Sequence, residues 1–355
     1  MGTKVYKAIF MLIGIFSLGY MIYGIGVEDL WLNIQKTGIW FVPVIGSWLV
    51  IYILNAFAFK AVIHEPGHPR TDLSFLSVLK LTISGYAINY ITPFVALGGE
   101  PYRIMELKPR LGIHKATSSV LLYSLMHMFS HVVFWVVSIG LILAVIPVNS
   151  IMLAGCGLML AISLLLGFWF IRVYKKGFTV STVNLLSRVP LIGKKAKIFA
   201  REKEETLHEI DNQIRIFYAD RRSRFYSSLV LEFVARVVGC LEIYFTAFAI
   251  GLDMSLTEAL IVSSASSLFA NLIFFFPMQL GTREGGLALA LKSVGLPAAG
   301  GIFIGVVMRI REIVWIMIGL ALMGKKGVAQ HEGPVEKDGE LSYAHQSAES
   351  KRRVW

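Results

Sequence analysis

An all-helical, polytopic integral membrane bundle, built from two inverted halves with two re-entrant helical hairpins, is what this sequence predicts. Three observations carry that expectation. Hydrophobic residues make up 55% of the 355-residue chain and fall in long, almost uncharged runs, with a mean hydropathy of +0.66, far too apolar for a soluble domain. Two further apolar runs each stop at a Pro- and Gly-rich break followed by charge. The Lys and Arg residues gather in segments that the positive-inside rule assigns to one face.

The elements follow in order. Runs near 5–26, 39–59, 117–145, 151–173, 225–250 and 300–323 reach the roughly 20 residues a bilayer crossing needs. The first has a basic flank and an apolar core, yet it is long and lacks an A-x-A-like cleavage site, so it reads as a retained span. The segment 175–224 is polar and basic, with a charged helical stretch at 200–222. It is therefore expected inside, with Lys4, Lys7 and the polar tail 324–355, which shows no apolar period and reads as disordered. A single crossing at 73–97 would place the basic insert outside, so parity makes 73–113 a hairpin from the cytoplasm and 255–297 its counterpart from the outer face. The organisation is then a domain over 1–323, with halves at about 1–174 and 225–323 around the insert, in the cell (inner or plasma) membrane with both termini cytoplasmic. Broken backbone at membrane depth is tolerated where it is buried in protein or lines a watery cavity, so the breaks predict a cavity.

The breaks read "NYITPFVALGGEPYR" (89–103) and "NLIFFFPMQLGTREGG" (271–286). Asn89, Pro93, Gly98 and Glu100 in the first find partners in Asn271, Pro277, Gly281 and Glu284 in the second. Paired Gly/Pro interruptions in corresponding positions of two halves point to a transporter's binding site at their interface. Arg103 and Arg283 follow the breaks, where helix N-termini favour anions and a guanidinium fork suits phosphate. Glu100 and Glu284 beside them are helix caps, amine readers or proton couplers.

Charges inside apolar spans are expensive and therefore candidates for function. Glu232 and Arg236, four apart, are expected to pair on one helix face. Arg309 and Glu312, three apart with Arg311 beside them, form a second such group. Each reads equally as a structural ion pair or a cavity feature. Glu242 has no local partner, which suggests a proton-carrying carboxylate. Tyr123, His127 and His131 recur every four residues and share one face, as a polar stripe or proton relay.

"VIHEPGHPR" (62–70) contains H-E-x-x-H, a zinc-protease signature when it lies on a helix. Pro66 and Gly67 sit between the histidines, so the stretch reads as a turn, and no metal or cofactor is expected. Cys156 and Cys240 both lie in apolar runs, which argues against a disulfide framework. The net charge of +11 fits cytoplasmic loops facing anionic lipid rather than nucleic acid.

The two break segments, with "LGIHKATSSVLLYSL" after the first, "LALALKSVGLP" after the second and the late Arg309, resemble the lysylphosphatidylglycerol synthase transmembrane region family of flippase-like proteins. The resemblance spans roughly 5–323. It places the family's Gly and Arg at Gly98, Gly99 and Arg103, and its Pro, Gly and Glu at Pro277, Gly281 and Glu284. Where the family carries an Arg and an Asp in the span after the first break, this chain has Tyr123, His127 and His131. The resemblance implies movement of a polar-headed lipid between leaflets, with membrane lipids as partners, anionic or aminoacylated headgroups among them, and no nucleic acid. A homo-oligomer stays open. No globular stretch of about a hundred residues lies outside the spans, so aminoacyl transfer is not expected. No P-loop motif occurs, which excludes that route to ATP drive. An intramembrane enzyme acting on a lipid-linked substrate, or an accessory scaffold subunit, are the competing readings.

Overall fold

The computed structural model describes residues 16, 23, 26–92, 98–145, 150–176, 179, 183, 187–188, 193–202, 204–272 and 282–323. Helices joined by short turns hold most of these residues, and no strand occurs among them. The helices are α1 (Val27–Thr37), α2 (Phe41–Ile63), α3 (Phe75–Ile91), α4 (Gly99–Val145), α5 (Ser150–Lys176), α6 (Gly193–Glu202), α7 (Glu204–Asp220), α8 (Arg222–Ala249), α9 (Leu256–Leu272), α10 (Thr282–Ser293) and α11 (Ala299–Met323). Most of the expected first span, together with Pro93, Pro277, Gly281 and the tail, lies outside the described residues. Asn271 is in α9, but its side chain is not described.

Local chemistry sets the ends. Glu28 and Asp29 in the first turn of α1 and Lys36 in its last complement the helix dipole. The Ser74 hydroxyl accepts from the Ser77 N–H to cap α3. Ser255 and Glu258 close a reciprocal capping box at α9, with Glu258 Oε2 accepting from the Ser255 N–H at 2.8 Å and Ser255 Oγ from the Glu258 N–H at 3.2 Å. α2 stops before His64, whose backbone is extended, and Gly67 has a φ of +83°. The two histidines of H-E-x-x-H therefore do not share a helix face.

Segments 27–63, 99–145 and 153–175 are long and apolar enough to cross a membrane. α8 and α11 are long enough too, at 28 and 25 residues, but each carries three charged side chains in its apolar run. Those charges point inward: Glu232 and Glu242 are 1% exposed and Arg311 2%. The outer surface is apolar, with Leu165 of α5 at 70% and Phe168 at 66% exposure, as expected where the surrounding solvent is lipid.

Contacts give the helix directions. α2 and α8 pack antiparallel along much of their length, since Arg224 donates to the His64 carbonyl at 3.3 Å while Trp40 stacks on Phe245 with ring centroids 5.9 Å apart. α3 starts at the 64–74 end. α4 is kinked at Gly112, whose φ of 76° and ψ of 165° suit a residue without a Cβ. Its first arm, 99–111, folds back on α3: the Asn89 side chain accepts from the Gly99 N–H at 2.7 Å, and Arg110 Nε donates to the Arg70 carbonyl at 2.9 Å. A Cβ at Gly99 would collide with the Gly85 carbonyl. The second arm then leaves the same end, where Lys115 meets Glu65. At the opposite end α9 begins at 256, α10 ends at 293 and α11 starts back alongside α10, so closely that a Cβ at Gly301 would enter the Ala288 backbone. α11 runs antiparallel to α3, with Arg311 near Tyr90 and Gly319 near Ser84.

Within the 175–224 insert, α7 joins the body: its Ile210, Ile214 and Phe217 belong to the main buried apolar cluster with Phe59 and Tyr174. At the same end Glu65 bridges two helices, pairing with Lys115 of α4 at 2.7 Å and with Arg221 beside α8. Burial pushes the Glu65 carboxyl up, but Lys115 and then Arg221 outweigh it and hold it below the ordinary carboxylate range. A depressed folded-state pKa contributes stability above the unfolded value of about 4.3, and that contribution is lost as pH falls through the folded value. Wild type is therefore expected to unfold at a higher temperature than Glu65→Gln above pH 5, with the gap closing on acidification. Parallel pH series of thermal unfolding check this, and a gap that widens in acid would contradict it.

Candidate functional site

A cavity of about 500 Å³ opens between α2, α3, both arms of α4, α8, α9, α10 and α11. Four arginines (103, 236, 283, 311) and four glutamates (100, 232, 242, 312) stand on its wall, so its charges balance with the histidines neutral. Among the residues singled out from the sequence it unites Asn89, Glu100, Arg103, His127, His131, Glu232, Arg236, Glu242 and Arg283. Glu284 and Arg309 lie behind the wall and bind each other at 2.6 Å. Gly98 and Gly99 serve the packing of the break, where a Cβ on Gly99 would also crowd Asn89 Oδ1 at 2.8 Å.

One group of polar residues centres on α4 and α8. Arg236 Nε donates to Ser130 Oγ at 2.7 Å, Nη1 to His131 Nε2 at 2.7 Å and Nη2 to the His127 carbonyl at 2.6 Å. Its expected partner Glu232 is 3.8 Å away; the close contact of Glu232 is His127 Nδ1 at 2.7 Å. The i, i+4 pair thus exists but is secondary, because α4 presents the histidine stripe to both members. That stripe is continuous, with the His127 and His131 rings 5.5 Å apart. Tyr86 and Asn55 extend it, Asn55 donating to the Tyr86 hydroxyl at 3.1 Å.

Arg103 is 2% exposed. Its guanidinium lies over Tyr86, 5.0 Å from the ring centroid, and near Tyr123 at 5.6 Å, an aromatic bed that holds a cation. Glu100 is 3.4 Å away, while Arg103 Nε and Nη2 and Glu100 Oε2 are buried without hydrogen-bond partners. Gly85 makes this possible, because a Cβ there would strike the guanidinium.

The other group corrects two expectations. Glu242 is not alone: Arg311 Nε and Nη2 bind its two oxygens at 2.7 and 3.1 Å, and the Trp48 indole N–H donates to it at 2.8 Å. Nor are Arg309 and Glu312 each other's closest partners. Arg309 binds Glu284 across to α10, and Glu312 is bound by Arg283. α10 crosses α11 so closely that a Cβ at Gly305 would be 2.7 Å from the Glu284 side chain, which puts cross-helix partners nearer than those along the helix. Sequence reading missed Trp48, Tyr86 and Tyr90, because aromatics in apolar runs look like core; Asn55, a polar residue within the 39–59 run, was the available signal. Among the described residues no group of three His, Cys, Asp or Glu side chains could hold a metal.

A helical bundle with an apolar exterior and a charge-lined internal cavity defines a helical membrane protein. A family model for the lysylphosphatidylglycerol synthase TM region matches residues 7–320, and the chain belongs to that family. The match agrees with the resemblance carried by the break segments. No curated protein and no solved structure matches the chain.

Proposed function

We propose that the protein is a flippase-like transporter that moves a polar-headed lipid between leaflets, without ATP, the headgroup occupying the cavity while the acyl chains stay in lipid. The observation that carries this reading is Arg103, a buried cation with unpartnered donors facing a cavity of about 500 Å³. A buried donor without an acceptor is costly, and a phosphate oxygen would satisfy it. Asn89, Glu100 and Arg283 complete the headgroup site, with Glu284 and Arg309 supporting it from behind.

Two inverted halves supply the moving parts in this reading. α2, α3 and the two arms of α4 correspond to α8, α9, α10 and α11, and their directions support opposite orientations in the membrane. The hairpins α3 with 99–111 and α9 with α10 are then re-entrant from opposite faces, the 64–74 end and both termini being cytoplasmic in the cell membrane. Rocking one half against the other would expose the cavity to each leaflet in turn.

Leaflet exchange of fluorescent phospholipids by purified protein in liposomes tests the proposal. Wild type should accelerate exchange, and Arg103→Ala should lower the rate by about tenfold or more, the equivalent of one charge-assisted hydrogen bond at about 1.5–3 kcal/mol. Folded wild-type protein that moves no lipid of any headgroup class would refute it and leave an intramembrane enzyme or a scaffold as the better reading.

A further inference from the structure

The geometry points to His131 as a proton-binding site whose loading transfers Arg236 from His131 to Glu232, coupling protons to the headgroup cycle; the coupling rests on the transport reading above, the proton site does not. An arginine side chain has only donors, so the 2.7 Å contact from Arg236 Nη1 to His131 Nε2 requires a lone pair on Nε2. His131 is therefore neutral with its hydrogen on Nδ1, and Nδ1 is buried without a partner. Around Glu232 the arrangement is complementary. Oε2 receives His127 Nδ1, whereas Oε1 is buried with no hydrogen bond.

A proton delivered by hydronium from the cavity would form an N–H bond at Nε2, return water and raise the local charge by one. The Arg236 hydrogen bond to Nε2 must then break, since two donors would face each other. The nearest anion is Glu232, already 3.8 Å from Nη2. Moving there makes the i, i+4 pair primary and withdraws Arg236 from the His127 carbonyl and Ser130, loosening the contact between α4 and α8. Those helices belong to different halves of the chain.

The surroundings leave this exchange to few groups. On α4 the neighbours are His127, Tyr123, whose ring is 6.3 Å from that of His127 and which interacts with Glu232, and, in the first arm, Arg103 with Glu100; α8 supplies Glu232 and Arg236, with Glu242 farther along. α3 brings Tyr86, which contacts His127 Nδ1 at 3.2 Å. α2 contributes the neutral Asn55, and α9 contributes serines, Ser267 accepting from the Trp135 indole at 3.1 Å. α5 meets this stretch where Gly167 faces Val132. Across the cavity Arg283, Arg311, Glu242 and Glu312 are engaged with one another.

Trp135 supplies a reporter, its ring centroid lying 5.7 Å from that of His131, close enough for a protonated imidazole to quench its fluorescence. The experiment is a fluorescence pH titration of the full-length protein in detergent, with circular dichroism confirming the fold of each variant. The expected result is a quenching step on acidification that disappears in both His131→Gln and Trp135→Phe. Glu232→Gln, which removes the carboxylate that receives Arg236, should move that step to lower pH. A step that survives His131→Gln, no step in wild type, or an unmoved midpoint in Glu232→Gln overturns the proposal. A parallel assay in vesicles, with a pH gradient on or off, separates the two readings. A His131-dependent step in protein that exchanges no lipid would sink transport and keep the proton site. Exchange that ignores the gradient, in protein without the step, would do the reverse.

Discussion

Arg311→Met is expected to be among the most destabilising single substitutions in this protein, costing about 3–5 kcal/mol, as for other buried pairs that lose one partner. Arg311 holds both oxygens of Glu242, lies 3.7 Å from the centroid of the Trp48 ring and comes within 3.8 Å of Glu312. Methionine fills much of the volume but leaves Glu242, 1% exposed, as a buried charge that keeps the Trp48 indole hydrogen bond but no cation bound to it among the described residues. The double variant Arg311→Met with Glu242→Gln should recover most of the loss, because the stranded charge rather than the missing attraction dominates the penalty. Denaturant unfolding in mixed micelles measures both. If the single variant matched wild type, or the double were no better than the single, Glu242 would not be the buried charge described above.

The second large effect is expected at the first break. Gly99→Val places a Cβ against the Gly85 carbonyl and crowds Asn89 Oδ1. Backbone cannot rotate away as a side chain can, so the first arm of α4 must move off α3, at the roughly 1–3 kcal/mol typical of overpacking. Loss of the 2.7 Å hydrogen bond from Gly99 to Asn89 adds to this. Arg103, one helical turn along, moves with the arm, so on the transport reading proposed above lipid exchange should fall further than stability alone explains. Comparing exchange rates at matched folded fractions isolates that part, and an undiminished rate would contradict the role given to the break. The corresponding change behind the wall, Gly301→Val, meets the Ala288 backbone and should cost stability of the same order.

How much of this was legible beforehand differs from residue to residue. The Pro66–Gly67 turn and the stripe Tyr123–His127–His131 could be read because each depends on local backbone preference or on the 3.6-residue period. Arg103 could be flagged because it follows a Pro- and Gly-rich break, where a helix start and a guanidinium fork both suit an anion. The aromatic bed beneath it could not, since Phe59 and Tyr86 come from other helices and carry no mark that separates them from ordinary core, and nothing in the sequence joins them to Tyr123.

By itself, the sequence determined the helical membrane class, the family and the list of charges that had to be kept from lipid, because hydropathy and charge act within a few residues of where they stand. Only the tertiary structure decided which charge meets which. Glu242 found Arg311, Arg309 found Glu284 and Arg236 found His131. In a low-dielectric interior each ion takes the nearest counter-charge or lone pair in space, and at these close helix crossings that partner lies on another helix.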